Sequence, residues 1–375
     1  LERPELGSQD TRREKALALK LMGIATRLRS ADAAETRLLW EQSLALYQAL
    51  GDRWMTADLL HRLGRLNLDS GAYDEAERLC KEGLEIRRAL GDQSGIADSL
   101  VLLGFVAWCR GLYDEQERLA REAVAIWQEL GNRFGMADGL GWLSSALLAR
   151  GEFAQAQSYS EESLAIYNDL GFLSAVASET INLGLAKMHL GQYEGARVLG
   201  RESLTLGRTI GTKIDRFALL LLGSVALVEE VYVEAQEMLK RSAALYGEEE
   251  MGWIPAILAY AARGAGQSSK AGEHLFHALQ MATEIGAFLP LVYALPAMAL
   301  LLADQGEQER AIELYHLASR YPLVAKSRWF EDIVGRHIAD VAAALPPEVV
   351  AAAQERGRSR NLEITVKELL TELSG

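Results

Sequence analysis

The stretch LHRLGRLNLDSGAYDEAERL, residues 60–79, holds one glycine that suits a helix face and a second that suits a turn. Leu60, Leu63, Gly64 and Asn67 fall at helical spacing, and so do Tyr73, Ala76 and Leu79 beyond Gly71. Two amphipathic helices joined by a glycine free to take positive φ form a helical hairpin. Working outward, the same slots return every 40 residues: Gly71, Gly111, Gly151 and Gly191; Tyr73, Tyr113, Phe153 and Tyr193; Ala76, Gln116, Ala156 and Ala196. An offset series, Gly51, Gly91, Gly131, Gly171 and Gly211, follows a Leu or Ile each time. Self-similarity at such a period marks a solenoid, to be read repeat by repeat.

Within the unit 52–91, Asp52 is placed to cap a first helix, A, over roughly 53–69, and Asp92 and Asn132 hold the same slot. After the Gly71 turn a second helix, B, runs to about residue 90, with Tyr73, Ala76, Leu79, Gly83, Leu84 and Ile86 on its inward stripe. Gly64, Gly104 and Gly184, opposite Ala76, Ala156 and Ala196, let paired helices approach closely, and Cys80 sits where other copies have Ala120, Ser160 and Gly200. Gln116 and Ser144 break this small-residue pattern. Gly266 with Ala271 and Gly306 with Ala311 extend the grid, and residues 14–49 form a degenerate first hairpin around Gly23 and Leu44. The expected organisation is an all-α solenoid of about seven hairpins over 1–325, then polar capping helices over 326–375, drawn from 327–345, 346–360 and 361–373.

The 375 residues are 49% apolar and 24% charged with 7 prolines, which suits a folded, helix-rich chain. A formal charge of −13 argues against direct nucleic-acid binding. Two cysteines, Cys80 and Cys109, make no disulfide or metal framework, so a reducing cytoplasm is expected. The opening LERPELGSQD, 1–10, has neither initiator Met nor targeting pattern and reads as part of a longer protein. The apolar run 287–303 is short for a membrane span and contains Pro290 and Pro296, so a buried helix is expected and no membrane partner.

Leu63-Gly64, Gly71, Tyr73 and Ala76 resemble the signature of the tetratricopeptide repeat, and the match recurs at Leu103-Gly104, Gly111 and Tyr113, at Leu183-Gly184, Gly191, Tyr193 and Ala196, and one residue early at Leu222-Gly223, Tyr232 and Ala235. The resemblance implies a right-handed superhelical solenoid whose A helices line a concave groove. The copies here are longer than the family's usual repeat, the extra residues lying in the LGD connection.

No phosphate loop, metalloprotease motif, paired-cysteine site or nucleophile elbow is present, so no catalytic residue and no cofactor is expected. His274 and His277 are spaced i, i+3 but lack a third ligand, and the acidic run 247–251 reads as a solvated connection, so no metal site is expected. Binding is more plausible chemistry. One A-helix row reads Asp58, Asp98, Asp138, Ser178, Phe217, Trp253 and Tyr293, turning from acidic to aromatic. Neighbouring rows add Arg62, Trp142 and Asn182, then Arg65, Phe105 and Tyr260, with Trp108 and His189 one turn further on. Phe105 and Trp108 read equally well as packing side chains. The candidate groove residues are Arg62, Arg65, Phe105, Trp142, Asn182, Phe217, Trp253 and Tyr260, able together to hold a peptide, a partner helix or a small amphiphile.

The terminal AALPPEVVAAAQERGRSRNLEITVKELLTELSG, residues 343–375, resembles the tail of bacterial regulators in which such an array follows a STAND-class signalling ATPase. That resemblance implies a sensor arm whose inducer, bound in the groove, controls an ATPase module upstream in the same polypeptide. A constitutive scaffold for protein partners is the alternative.

Overall fold

The computed structural model describes residues 11–29, 33–211, 214–246 and 253–374; Leu1–Asp10 and the acidic run 247–251 lie outside the described residues. Those described residues are helical, without a strand. The helices run as consecutive hairpins: α1 (Arg12–Arg29) and α2 (Ala33–Ala49), α3 (Arg53–Asp69) and α4 (Tyr73–Leu90), α5 (Gln93–Cys109) and α6 (Tyr113–Glu129), α7 (Arg133–Ala149) and α8 (Phe153–Leu170). They continue as α9 (Leu173–His189) and α10 (Tyr193–Ile210), α11 (Asp215–Val228) and α12 (Tyr232–Tyr246), α13 (Trp253–Gly264) and α14 (Ser268–Ile285), α15 (Leu289–Asp304) and α16 (Gln308–Ala318).

The connections work as their residues require. Asp52, Asp92 and Asn132 accept hydrogen bonds from the backbone N–H of Met55, Gly95 and Gly135 at 3.1, 3.0 and 3.0 Å, satisfying donors that a helix start leaves free. Gly91 and Gly171 end their helices at φ +70° and +72°, a conformation that costs any residue with a Cβ. The LGD motif therefore stops helix B and starts the next helix A.

Two compact units are formed, one from Leu1–Val106 with Glu122–Leu130, the other from Ala107–Arg121 with Gly131–Gly375. In the first, α1 to α4 pack in sequence. The small-residue contact lies between Gly64 and Cys80, where an added Cβ would come within 2.6 Å of the buried Sγ. Burial pushes that thiol up to about 12, so it behaves as an apolar filler.

In the second unit α7 to α16 also pack in chain order, and α13 additionally lies directly on α15. Ser144, in the slot of the glycine, donates to the Ala156 carbonyl at 2.9 Å and shares a 2.8 Å hydrogen bond with Ser160, so its hydroxyl is satisfied inside the hairpin. The apolar run at 287–303 is the buried helix α15, with Pro290 in its first turn and Pro296 inside it. No helix among the described residues is long and apolar enough to cross a membrane.

Beyond α16 the chain makes α17 (Pro322–Ala325), α18 (Arg328–Phe330), a π-helical turn (Glu331–Gly335), α19 (Arg336–Ala343), α20 (Pro347–Ser359) and α21 (Leu362–Leu373). Asn361 caps α21 by accepting from Ile364 N–H at 3.0 Å. Helices α20 and α21 lie on α16 and α14. Within the stretch expected to form a polar cap, 326–375, large aromatic side chains are core. Trp329 and Phe330 are 0% exposed, because the segment 321–335 turns back onto the A helices and supplies them with core.

Candidate functional site

Arg62, Arg65 and Phe105 belong to the first unit. Arg62 is half-buried on α3 and donates from Nε to Asp58 at 3.0 Å, while Lys20 of α1 stands 2.7 Å from the same carboxylate oxygen. Burial opposes the charge on Asp58, but Arg62 and Lys20 together outweigh it and hold the carboxyl below its ordinary range. Arg65 pairs with Asp69 at 3.3 Å and lies 5.6 Å from the centre of the Phe105 ring. Both guanidinium groups are thus held by neighbours on their own helix.

The remaining candidates lie in the second unit. The segment 321–335 divides the A helices there into a covered and an open part. On the covered part His189 Nδ1 is 2.8 Å from Ser327 Oγ, and Trp329 Nε1 donates to the Ser224 carbonyl at 2.8 Å. Trp329 stands edge-on to Tyr260 at 5.8 Å, and Phe330 lies 5.2 Å from Tyr293. Burial drives the His189 imidazole down to about 3, so it stays neutral in its aromatic surroundings of Phe153, Trp329 and Phe330. Tyr193 reaches over the rim and donates to Asp332 at 2.6 Å.

Tyr260 is therefore corrected from a groove residue to a core residue. It is 4% exposed, and its hydroxyl donates to the Tyr293 carbonyl at 2.7 Å. The chain's own Trp329 fills the space that a ligand would need.

The other four remain at least partly accessible. Trp142 of α7 is half-buried, and its carbonyl accepts from Gln116 Nε2 at 3.3 Å. Asn182 of α9 is half-buried and donates from Nδ2 to Glu179 Oε2 at 3.2 Å. Phe217 of α11 lies under the Arg216 guanidinium at 4.9 Å. Trp253 opens α13 edge-on to Trp108 at 5.6 Å, with its buried Nε1 lacking a hydrogen-bond partner. Phe217 and Trp253 stand at the N-terminal ends of α11 and α13, and Trp142 and Asn182 near the middles of α7 and α9. The arrangement offers aromatic faces and one amide, which suits capture of an extended or amphiphilic ligand.

Beneath Asn182 lies a group the sequence reading did not single out. Glu179 is 4% exposed, and an added Cβ on Gly141 of α7 would sit 2.6 Å from its Oε2, so the glycine makes room for the carboxyl. Burial pushes this acid up to about 7, helped by the charge of Asp138, while the Ser160 hydroxyl and the Asn182 amide favour ionisation. Tyr167 of α8 is hydrogen bonded to Asp138. The repeat grid carried the signal, since the same column holds Leu59, Ser99 and Gly139. Trp329 had no such signal, because it lies off the grid.

Among the described residues no group of three or more His, Cys, Asp or Glu side chains could hold a metal ion. His274 is half-buried and shifted down by burial and by Lys240; His277 is exposed.

Comparison with known proteins places this geometry. No curated protein matches the chain. In fold it is similar to a Rap protein complexed with competence and sporulation factor, at 14% identity and TM-score 0.56 over 96% of this chain and 99% of that one. It is likewise similar to the apo form of RapI, at 10% identity and TM-score 0.57 over 72% of this chain and 98% of that one. The sequence pattern of the tetratricopeptide repeat is matched at residues 56–94 and again at 95–169, so the chain is an all-α array carrying tetratricopeptide repeats.

Proposed function

We propose that this chain is a non-catalytic sensor arm that binds a peptide or protein segment across the open part of its A helices and transmits that binding to a STAND-class ATPase upstream in the same polypeptide. The observation that carries the binding reading is that Trp142, Asn182, Phe217 and Trp253, from two neighbouring rows on α7, α9, α11 and α13, stay half-buried, whereas Tyr260 is closed over by Trp329. Half-buried aromatics are the kind of anchor that recognition surfaces use. Peptide binding gains support from the Rap structure, whose protein is complexed with competence and sporulation factor. The ATPase link rests on the resemblance of residues 343–375 alone.

A thermal-shift screen of synthetic hexapeptide pools against the full chain tests the reading. A peptide present at 100 times its Kd stabilises the folded state by about 2.7 kcal/mol, a readable rise in melting temperature. Trp142→Ala and Trp253→Ala are expected to abolish that rise. A chain that ignores every peptide but binds a folded partner elsewhere would favour the constitutive scaffold.

A further inference from the structure

The Glu179 carboxyl lies between α7, α8 and α9, over Gly141 and beside Asn182. Its Oε2 accepts the Asn182 N–H, and its Oε1 is buried without a hydrogen-bond partner. An amide carries its acceptor and its donors on opposite sides, so a carboxylate holding the N–H turns the Asn182 oxygen the other way. We propose that Glu179 is the positioning residue that sets the hydrogen-bonding sense of Asn182, and that gaining one proton reverses it.

The reversal follows from the inventory of donors and acceptors. A proton on Oε1 would be buried without an acceptor, whereas a proton on Oε2 finds one in Asn182 when its side-chain amide turns half a revolution about a torsion that is two-fold in character. Asn182 then offers N–H where it had offered a carbonyl oxygen. The ionisable groups facing Glu179 are Asp138 on α7 and Tyr167 on α8, and neither brings positive charge. Burial, and after it the charge of Asp138, raises the proton affinity of Glu179 above that of an ordinary glutamate. For the groove this means a choice between reading a ligand's N–H and reading its C=O. That use rests on the proposed peptide binding; the reversal itself does not.

The test needs no ligand. In the full chain, the Glu179 carboxyl carbon and the Asn182 side-chain amide are followed by NMR across about pH 5 to 9, spanning the shifted carboxyl. The expected result is a common midpoint for both signals, a flat Asn182 signal in Glu179→Gln, and a lower midpoint in Asp138→Asn, which removes one repelling charge. An Asn182 amide that stays unchanged while Glu179 titrates overturns the proposal, as does a Glu179 carboxyl that titrates in the ordinary glutamate range. Either result leaves peptide binding standing, whereas failure of every peptide to bind removes the use and not the reversal.

Discussion

The indole Nε1 of Trp329 donates to the backbone carbonyl of Ser224 at 2.8 Å, across 105 residues of chain. A bond of this reach is foreign to an array in which each repeat meets only its neighbours. It makes Trp329, with Phe330 beside it, part of the interior of the second unit.

Trp329→Ala is accordingly expected to destabilise the protein by about 3–5 kcal/mol, the usual cost of truncating a large buried aromatic. The urea midpoint of the helical signal measures it. A change under about 1 kcal/mol would mean that the indole is not held as the structure has it.

Trp142→Ala and Trp253→Ala are expected to behave differently. Both side chains are half-buried, so each substitution should cost less than about 2 kcal/mol of stability, while peptide affinity falls by more than about tenfold. Binding isotherms beside urea curves separate the two effects. A loss of folding equal to that of Trp329→Ala would make these residues core.

Two buried groups pull the pH dependence of stability in opposite directions. Glu179 has its folded pKa raised from 4.5 to about 7, so its stabilising contribution is full at low pH and is lost as pH rises through 7. Glu179→Gln should therefore be the more stable protein at pH 8 by an amount on the order of 3 kcal/mol, with the advantage fading toward pH 4. An advantage that persists unchanged at pH 4 would contradict the assignment.

His189 has its folded pKa lowered from 6.5 to about 3, so its contribution is full above the unfolded value and is lost as pH falls toward 3. His189→Gln, which keeps a polar atom near Ser327, should resist acid better than the parent relative to its own stability at pH 8. Urea midpoints at pH 4, 5, 6 and 8 read this out. Equal acid sensitivity in the two proteins would place the titrating group elsewhere.

Gly171 and Gly111 share positive φ but differ in surroundings. Nothing lies within 4 Å of a Cβ added at Gly171, whereas at Gly111 that atom would come within 2.7 Å of the Phe288 ring. Gly171→Ala should cost about 1–2 kcal/mol, the left-handed strain alone, and Gly111→Ala distinctly more. Equal costs would mean that Phe288 gives way freely.

How much of this was legible follows from what repeats. The LGD connections, the cap at Asp52 and the Gly64 contact with Cys80 recur on a grid, so the helices could be placed to within a residue or two from spacing and cap chemistry. The same grid assigns Trp142, Asn182, Phe217 and Trp253 to A helices. The burial of Tyr260 was not legible, because it depends on Trp329, whose approach over 69 residues no local pattern encodes. Glu179 falls between these cases: its column was visible, but column membership alone does not tell whether an acid faces solvent or Gly141.

The insertion of residues 321–335 also bears on how the chain is made. A pure nearest-neighbour array can settle one hairpin at a time as it leaves the ribosome. Here α9, α11, α13 and α15 emerge with His189, Ser224, Tyr260 and Tyr293 still lacking the side chains that cover them, and these arrive only with Ser327, Trp329 and Phe330. The face formed by these helices can close only once Ser327, Trp329 and Phe330 have emerged, so it stays apolar and open to chaperones over the interval of synthesis between α9 and α18.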